Sequence, residues 1–348
     1  MRKKDITVSF NNLVHSINPL NRVFIQVHGP PDPDCLASAV LLKKLLNSKE
    51  IAPSILYSGE ISKVELKDLL DFLQAGLVHV DCGLQRSHFR GEDQIILVDC
   101  QKGNSNILHL SSNYIACIDH HENLNYGHND YLYCDIRPDY GACASILYEY
   151  ANSVDYEIDP PLATLLMYGI RVDTNDLTRS KYLKDSQIYY SLYPRADIDL
   201  LNSLCTPVMK PSDLKSIASA LSNLVIFDKV VYSYAGLNTP RQLLGEISDK
   251  LLTLVGIEFV VVYSKHFDSY AFSVRSKSAG LPAGKIVKRA FASHNGEGGG
   301  RDEMAGGIIQ QITFSDLATD SSVMKRIIQI FSSTFAYYNF NNFKEEIL

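Results

Sequence analysis

The sequence predicts an α/β protein: an N-terminal doubly wound, mainly parallel sheet followed by a smaller C-terminal α/β domain, with the active site expected in the cleft between them. Three observations predict it. Short apolar runs of strand length alternate with helically spaced apolar residues as far as Asp173. Ionisable residues follow the ends of successive runs. The pattern then changes after the segment Leu204 to Pro211, which holds Pro207 and Pro211.

Val23 to Val27 reads as the first strand and ends in the turn-rich His28-Gly29-Pro30-Pro31-Asp32-Pro33-Asp34. Leu36, Val40, Leu41, Leu45 and Leu46 then recur with helical spacing. Further strands are expected at Ile55 to Tyr57, at Ile95 to Val98 ending at Asp99, and at Tyr114 to Ile118 ending at Asp119. Helices are expected at Glu65 to Leu73, Ala142 to Tyr150, and Leu162 to Ile170. This alternation calls for a parallel sheet covered on both faces. The boundaries read as 1–205 for the first domain, 206–222 for a linker and 223–348 for the second domain. In the latter, valine-rich strands are expected at Lys229 to Tyr234 and Glu258 to Tyr263, with a third at Tyr270 to Arg275 and a helix at Ala283 to Ala292. Gly296-Glu297-Gly298-Gly299-Gly300 is expected to be a loop.

Bulk properties narrow the function. At 348 residues there is room for two cores. The net charge of −6, from 33 basic and 39 acidic residues, disfavours a long polyanion as substrate but not a short one. Seven cysteines without a CxxC pair fit buried thiols in a reducing compartment better than a disulfide framework or zinc ribbon. Polar residues interrupt the region after Met1-Arg2-Lys3-Lys4, and no apolar run has transmembrane length, so the expected location is cytoplasmic, away from membranes.

In a doubly wound sheet, ligands bind beyond the carboxyl ends of the strands. If the sheet forms, Asp32, Asp34, Asp99 and Asp173 converge there with His28, Asp119, His120 and His121. Carboxylates this close repel one another, and divalent metals are the economical compensation. Imidazole beside carboxylate suits manganese, iron, zinc or cobalt. Each residue alone has a plainer reading: Asp34, for example, could cap a helix starting at Cys35. The recurrence at successive strand ends makes that reading poor for the set.

These residues resemble the motifs of the DHH phosphoesterase superfamily. The first motif, His-x-x-Pro-Asp-x-Asp, reads His28 to Asp34. The second, an aspartate ending an apolar strand, reads Leu97-Val98-Asp99. The third is Asp119-His120-His121, and the fourth reads Gly169-Ile170-Arg171-Val172-Asp173-Thr174. The C-terminal part resembles a DHHA1 domain, with Gly298-Gly299-Gly300-Arg301 in place of that domain's Gly-Gly-Gly-His and Ser273-Val274-Arg275-Ser276 similar to its substrate-binding strand. The same stretch argues against the family II pyrophosphatases.

The resemblance implies two divalent ions, manganese first among them. His28 and Asp32 would hold one, Asp34, His120 and Asp173 the other, and Asp99 would bridge them. A hydroxide between the ions would attack phosphorus. His121 would act near the phosphate, and Asp119 would orient a histidine. Arg275, Ser276, Gly298, Gly299, Gly300 and Arg301 would bind substrate. Lys277, Lys285 and Lys288, with no acidic residue among them, extend a basic patch. The expected substrates are short oligoribonucleotides, a linear dinucleotide or 3′-phosphoadenosine 5′-phosphate. A polyphosphate and single-stranded nucleic acid are the alternatives. A non-catalytic nucleotide-binding protein ranks last, because all six metal positions are intact. Long duplex nucleic acid is not expected, and self-association, if any, would give a homodimer. The single glycine between His28 and Asp34 argues strongly against a nicotinamide-dependent enzyme.

Overall fold

The computed structural model describes residues 3–61, 63–80, 89–104, 106–122, 130–178, 183–206, 209–315, 317, 319–338 and 345–346. Two compact units emerge, Met1–Pro207 and Val208–Leu348.

The first unit runs α1 (Lys3–Ser16), β1 (Val23–Gln26), α2 (Pro33–Asn47), β2 (Ser54–Tyr57), α3 (Val64–Phe72), β3 (Leu77–His79), β4 (Gln94–Val98), β5 (Asn113–Asp119), β6 (Tyr133–Ile136), α4 (Cys143–Ser153), α5 (Pro160–Asp173), α6 (Leu183–Leu192) and α7 (Ile198–Cys205). Its strands lie in the order β3-β2-β1-β4-β5-β6, and every neighbouring pair is parallel. The chain order reverses between β1 and β4, which opens a crevice at their carboxyl ends.

Strand pleating explains the two faces of this sheet. In β4 all five residues are buried, but Ile96 and Val98 join the cluster containing α2, α4 and α5, whereas Ile95 and Leu97 face the other way. Both faces are covered, as expected from a parallel sheet. The second cover differs in kind: among the described residues it is connecting chain, with Ile107, Leu108, Leu110 and Tyr131, rather than helices.

Two helices position the ionisable residues. Asp32 caps α2 by accepting from the Cys35 amide, and Pro33 occupies the first turn, where its missing N–H is harmless. Leu36, Leu41 and Leu45 of α2 are fully buried, each contributing about 1.5–3 kcal/mol of transfer free energy. A Cβ on Gly169 of α5 would lie 3.0 Å from the Asp34 Cα and 3.1 Å from the Ala37 Cβ. The glycine therefore lets α5 approach α2 closely, and Asp173 follows one turn later.

The second unit runs α8 (Pro211–Ser222), β7 (Leu224–Phe227), β8 (Val230–Leu237), α9 (Arg241–Leu252), β9 (Phe259–Lys265), β10 (Ser269–Ser276), α10 (Ala283–Ala292), β11 (Gly296–Gly300), β12 (Met304–Gln310), α11 (Asp320–Tyr337) and β13 (Glu345–Glu346). The strand order is β11-β12-β10-β9-β8-β7-β13, with β8 and β9 parallel and the other pairs antiparallel. Helices α10 and α11 cover one face, and α8 and α9 the other. Most of the segment 206–222, expected as a linker, is helix α8, whose Ala220 is buried in this unit's core.

The glycine run corrects an expectation: it is strand β11, not a loop. Gly298 and Gly299 pair with Gly307 and Gly306 of β12. A Cβ on Gly298 would meet the Val287 Cγ1 at 2.5 Å and the Phe291 Cδ2 at 3.0 Å, both on α10. The glycines thus allow a helix to lie against the strand.

Candidate metal centre

Five elements of the first unit bring the sequence-predicted residues together. His28 follows β1, Asp32 and Asp34 lie at the start of α2, Asp99 follows β4, Asp119 ends β5 with His120 and His121 after it, and Asp173 ends α5. Asp99 adopts φ +58°, an uncommon conformation for a residue with a side chain. Strain of this kind at a strand end gathers at functional sites.

The distances are short. His28 Nε2 lies 3.4 Å from Asp32 Oδ2 and 3.5 Å from Asp99 Oδ2. His120 Nε2 lies 3.3 Å from Asp99 Oδ1 and 3.0 Å from Asp173 Oδ2. The two oxygens of Asp99 therefore face different histidines. Asp34, His120 and Asp173 bring ligand-type atoms within 4.8 Å of one another, and so do His28, Asp32, Cys35 and Asp99.

The histidine orientations are fixed from behind. His28 Nδ1 donates to the Pro30 carbonyl at 3.0 Å, and His120 Nδ1 donates to the Tyr140 carbonyl at 3.1 Å. A carbonyl accepts only, so in each ring Nδ1 carries a proton and Nε2 faces the carboxylates. His121 Nδ1 lies 2.8 Å from Asp119 Oδ1, while Gln101 Nε2 donates to Asp119 Oδ2 at 2.7 Å. The His121 side chain is about one-third exposed.

Asp34 is not the cap of its own helix; Asp32 is. Asp34 instead accepts from the Cys143 amide at 2.7 Å and the Ala144 amide at 2.9 Å, at the amino end of α4. That helix end favours a negative charge. Burial still pushes the Asp34 carboxyl well above the usual range, reinforced by Asp99 and Asp173. Burial would lower His28 and His120, but Cys35, Asp32 and Asp99 around the first and Asp173 and Asp99 around the second outweigh it and raise both well above the ordinary imidazole value. For Asp32, burial pushes upward and the His28 imidazole outweighs it, leaving the carboxyl at about 2. Burial likewise opposes, and His121 outweighs it, in holding Asp119 below the usual value.

Three buried atoms here have no hydrogen-bond partner: Asp99 Oδ1, His120 Nε2 and Asp173 Oδ2. Buried polar atoms are normally satisfied, and leaving one unmade costs about 1–3 kcal/mol. These three point at one another without alignment for hydrogen bonding. A divalent cation would satisfy all of them, and the mixed imidazole and carboxylate set suits a first-row transition metal. The residues therefore fit the expected metal.

The substrate-binding candidates all lie in the second unit. The Arg275 Nε donates to Asp249 Oδ1 at 2.6 Å, across to α9. Lys277 reaches the Leu252 carbonyl on the same helix's end, whereas Lys285 and Lys288 lie on the exposed face of α10, so the basic run of the sequence is divided. Ser276 is buried and its amide donates to the Glu303 carbonyl. Gly298 to Gly300 form β11, a Cβ on Gly299 would meet nothing within 4 Å, and Arg301 is exposed.

Sequence reasoning missed Gln101, Cys35 and the carbonyls of Pro30 and Tyr140. Backbone carbonyls carry no residue-type signal, and a single glutamine near a strand end has none either.

Comparison with known proteins gives the family. The model of the DHH family, N-terminal domain, matches residues 22–170, and that of the DHHA1 domain matches residues 227–336. The chain belongs to the DHH family. All eight residues of the centre lie within the DHH match or, for Asp173, just beyond its end. An uncharacterized protein of Methanocaldococcus jannaschii is 29% identical over 309 residues, 88% of this chain and 62% of the relative, so the chain spans under two-thirds of that protein. Among solved structures, an exopolyphosphatase-related protein from Bacteroides fragilis has a TM-score of 0.74 at 16% identity, covering 96% of each chain. The exonuclease RecJ bound to manganese has a TM-score of 0.52 at 12% identity, covering 97% of this chain and 95% of the other. At these identities both show a shared fold.

Proposed function

We propose that this DHH chain hydrolyses phosphate esters of short nucleotides with two divalent ions, manganese foremost. One observation carries the reading: Asp99 Oδ1, His120 Nε2 and Asp173 Oδ2 are buried, convergent and unpartnered. His28 and Asp32 would hold one ion, Asp34, His120 and Asp173 the other, with Asp99 shared. Bound there, the ions would lower the pKa of a water and polarise the phosphoryl oxygens.

The chain's own groups do the rest. Asp119, held by Gln101, keeps the proton of His121 on Nδ1 and turns Nε2 outward. His121, about one-third exposed, would as the imidazolium hold a phosphate oxygen and hand its Nε2 proton to the leaving oxygen. The second unit would bind the remainder of the substrate through Ser276, Gly298 to Gly300 and Arg301. A guanidinium suits phosphate bidentately and stays charged at any working pH. Arg275 would act there through its pair with Asp249. The acidic net charge supports a short substrate, and among the described residues no helix is long and apolar enough to cross a membrane. Exposed Arg301 reads phosphate rather than base, which keeps polyphosphate as the second reading.

The test is to assay metal-stripped protein, reloaded with manganese, on an RNA dinucleotide, 3′-phosphoadenosine 5′-phosphate and short polyphosphate. Cutting of a nucleotide that Asp99→Ala abolishes supports the proposal. Cutting of polyphosphate alone replaces its substrate class, and a protein that binds no metal ends it.

A further inference from the structure

Cys35 lies in the third position of α2, fully buried, and its sulfur shares a 4.8 Å neighbourhood with His28, Asp32 and Asp99. The sulfur is 3.3 Å from the Asp32 backbone carbonyl. The sulfur, the two carboxylates and the imidazole are all donor types that bind cations, and one cation in their midst would engage all four. Burial raises the free thiol above its ordinary value, and a metal would reverse this, because a coordinated thiol gives up its proton. Asp32 uses Oδ1 for its cap and presents Oδ2 to His28, so one nitrogen, two oxygens and one sulfur gather within 4.8 Å of one another.

We propose that Cys35 is a ligand of the ion held by His28, Asp32 and Asp99, giving that position a sulfur donor which the position built from Asp34, His120 and Asp173 lacks. The proposal rests on the two-metal reading above. It makes the two positions chemically unlike. Sulfur shifts the first toward zinc, iron or cobalt, while the all-nitrogen-and-oxygen second position keeps room for manganese. It also places an oxidisable group at the centre.

Cobalt(II) tests this on the full chain, because thiolate-bound cobalt shows a near-ultraviolet charge-transfer band that oxygen- and nitrogen-bound cobalt lacks. The metal-stripped, reduced protein is loaded with cobalt and its ion content measured. The expected result is the band in wild type and its loss in Cys35→Ser, with Cys143→Ser, a buried thiol outside this cluster, retaining it. X-ray absorption at the cobalt edge of wild type, which needs no variant to fold, should show a sulfur scatterer at about 2.3 Å, the usual metal–thiolate distance. Cobalt bound without the band and without sulfur overturns this proposal alone and leaves the two-metal reading standing. A band that survives Cys35→Ser also overturns it. Failure to bind cobalt at all overturns both.

Discussion

Gly284→Ala offers a quantitative test of how the second unit builds its glycine-rich segment. Gly284 lies in the first turn of α10, and a Cβ there would sit 2.0 Å from the Gly300 carbonyl oxygen, 2.6 Å from the Gly300 carbonyl carbon and 3.1 Å from the Arg301 oxygen. These are backbone atoms, so no side chain can rotate away. Relief requires α10 to separate from residues 300–302. That separation breaks the bonds from the Gly284 amide to the Arg301 carbonyl at 2.9 Å and from the Ala283 amide to the Asp302 carbonyl at 2.8 Å. Two lost hydrogen bonds cost about 1 kcal/mol each and overpacking adds about 1–3 kcal/mol, so about 3–5 kcal/mol is expected. For a unit of this size, at roughly 3–4 °C per kcal/mol, the melting temperature should fall by about 9–20 °C. Calorimetry of the full chain reads the shift, and ion content should stay at the wild-type level because the metal residues lie in the other unit. KM should rise with kcat little changed. A variant that melts within about 2 °C of wild type would refute the close packing of α10 on Gly300, since even 1 kcal/mol exceeds that.

Three further outcomes follow from the first unit. The raised values of His28, His120 and Asp34 mean that the metal-free centre binds protons more tightly folded than unfolded. The contribution of the two histidines is therefore lost as pH rises above the unfolded imidazole value of about 6.5 and that of Asp34 from its unfolded value of 3.8 upward, while Asp32, at about 2, works the other way only on strong acidification. Metal-free protein should lose stability from pH 6.5 upward while metal-loaded protein does not, a gap read by melting both forms across pH; a gap that narrows would contradict the assignment. Gln101→Ala removes the bond to Asp119 Oδ2 and should lower kcat by about 10–100-fold with the ion content kept, measured by kinetics beside elemental analysis. Arg301→Ala should leave stability within about 0.5 kcal/mol, as an exposed position does, but raise KM, with Arg301→His restoring part of the loss.

The site was more legible than the scaffold around it. Strand ends at Asp99 and Asp119 could be read because apolar runs stop there at an ionisable residue, and periodicity placed α10 at Ala283–Ala292 as the structure has it. The glycine run misled because glycine signals backbone freedom locally, whereas what fixes β11 is pairing with β12 and the approach of Val287 and Phe291. Asp34 could be misread as a cap because its actual partners, Cys143 and Ala144, lie 109 and 110 positions away. The neighbours of Cys35 are likewise tertiary: sequence showed one of seven thiols fit for burial, and the fold places it beside His28 and Asp99.

The most direct test of the two-metal centre is manganese titration of the metal-stripped chain, followed by calorimetry and elemental analysis, for wild type and Asp99→Asn. The account predicts two ions per wild-type chain and at most one in the variant, because Asp99 turns one oxygen toward His28 and the other toward His120. A wild-type chain that binds no ion, or a variant that still binds two as tightly, would contradict it.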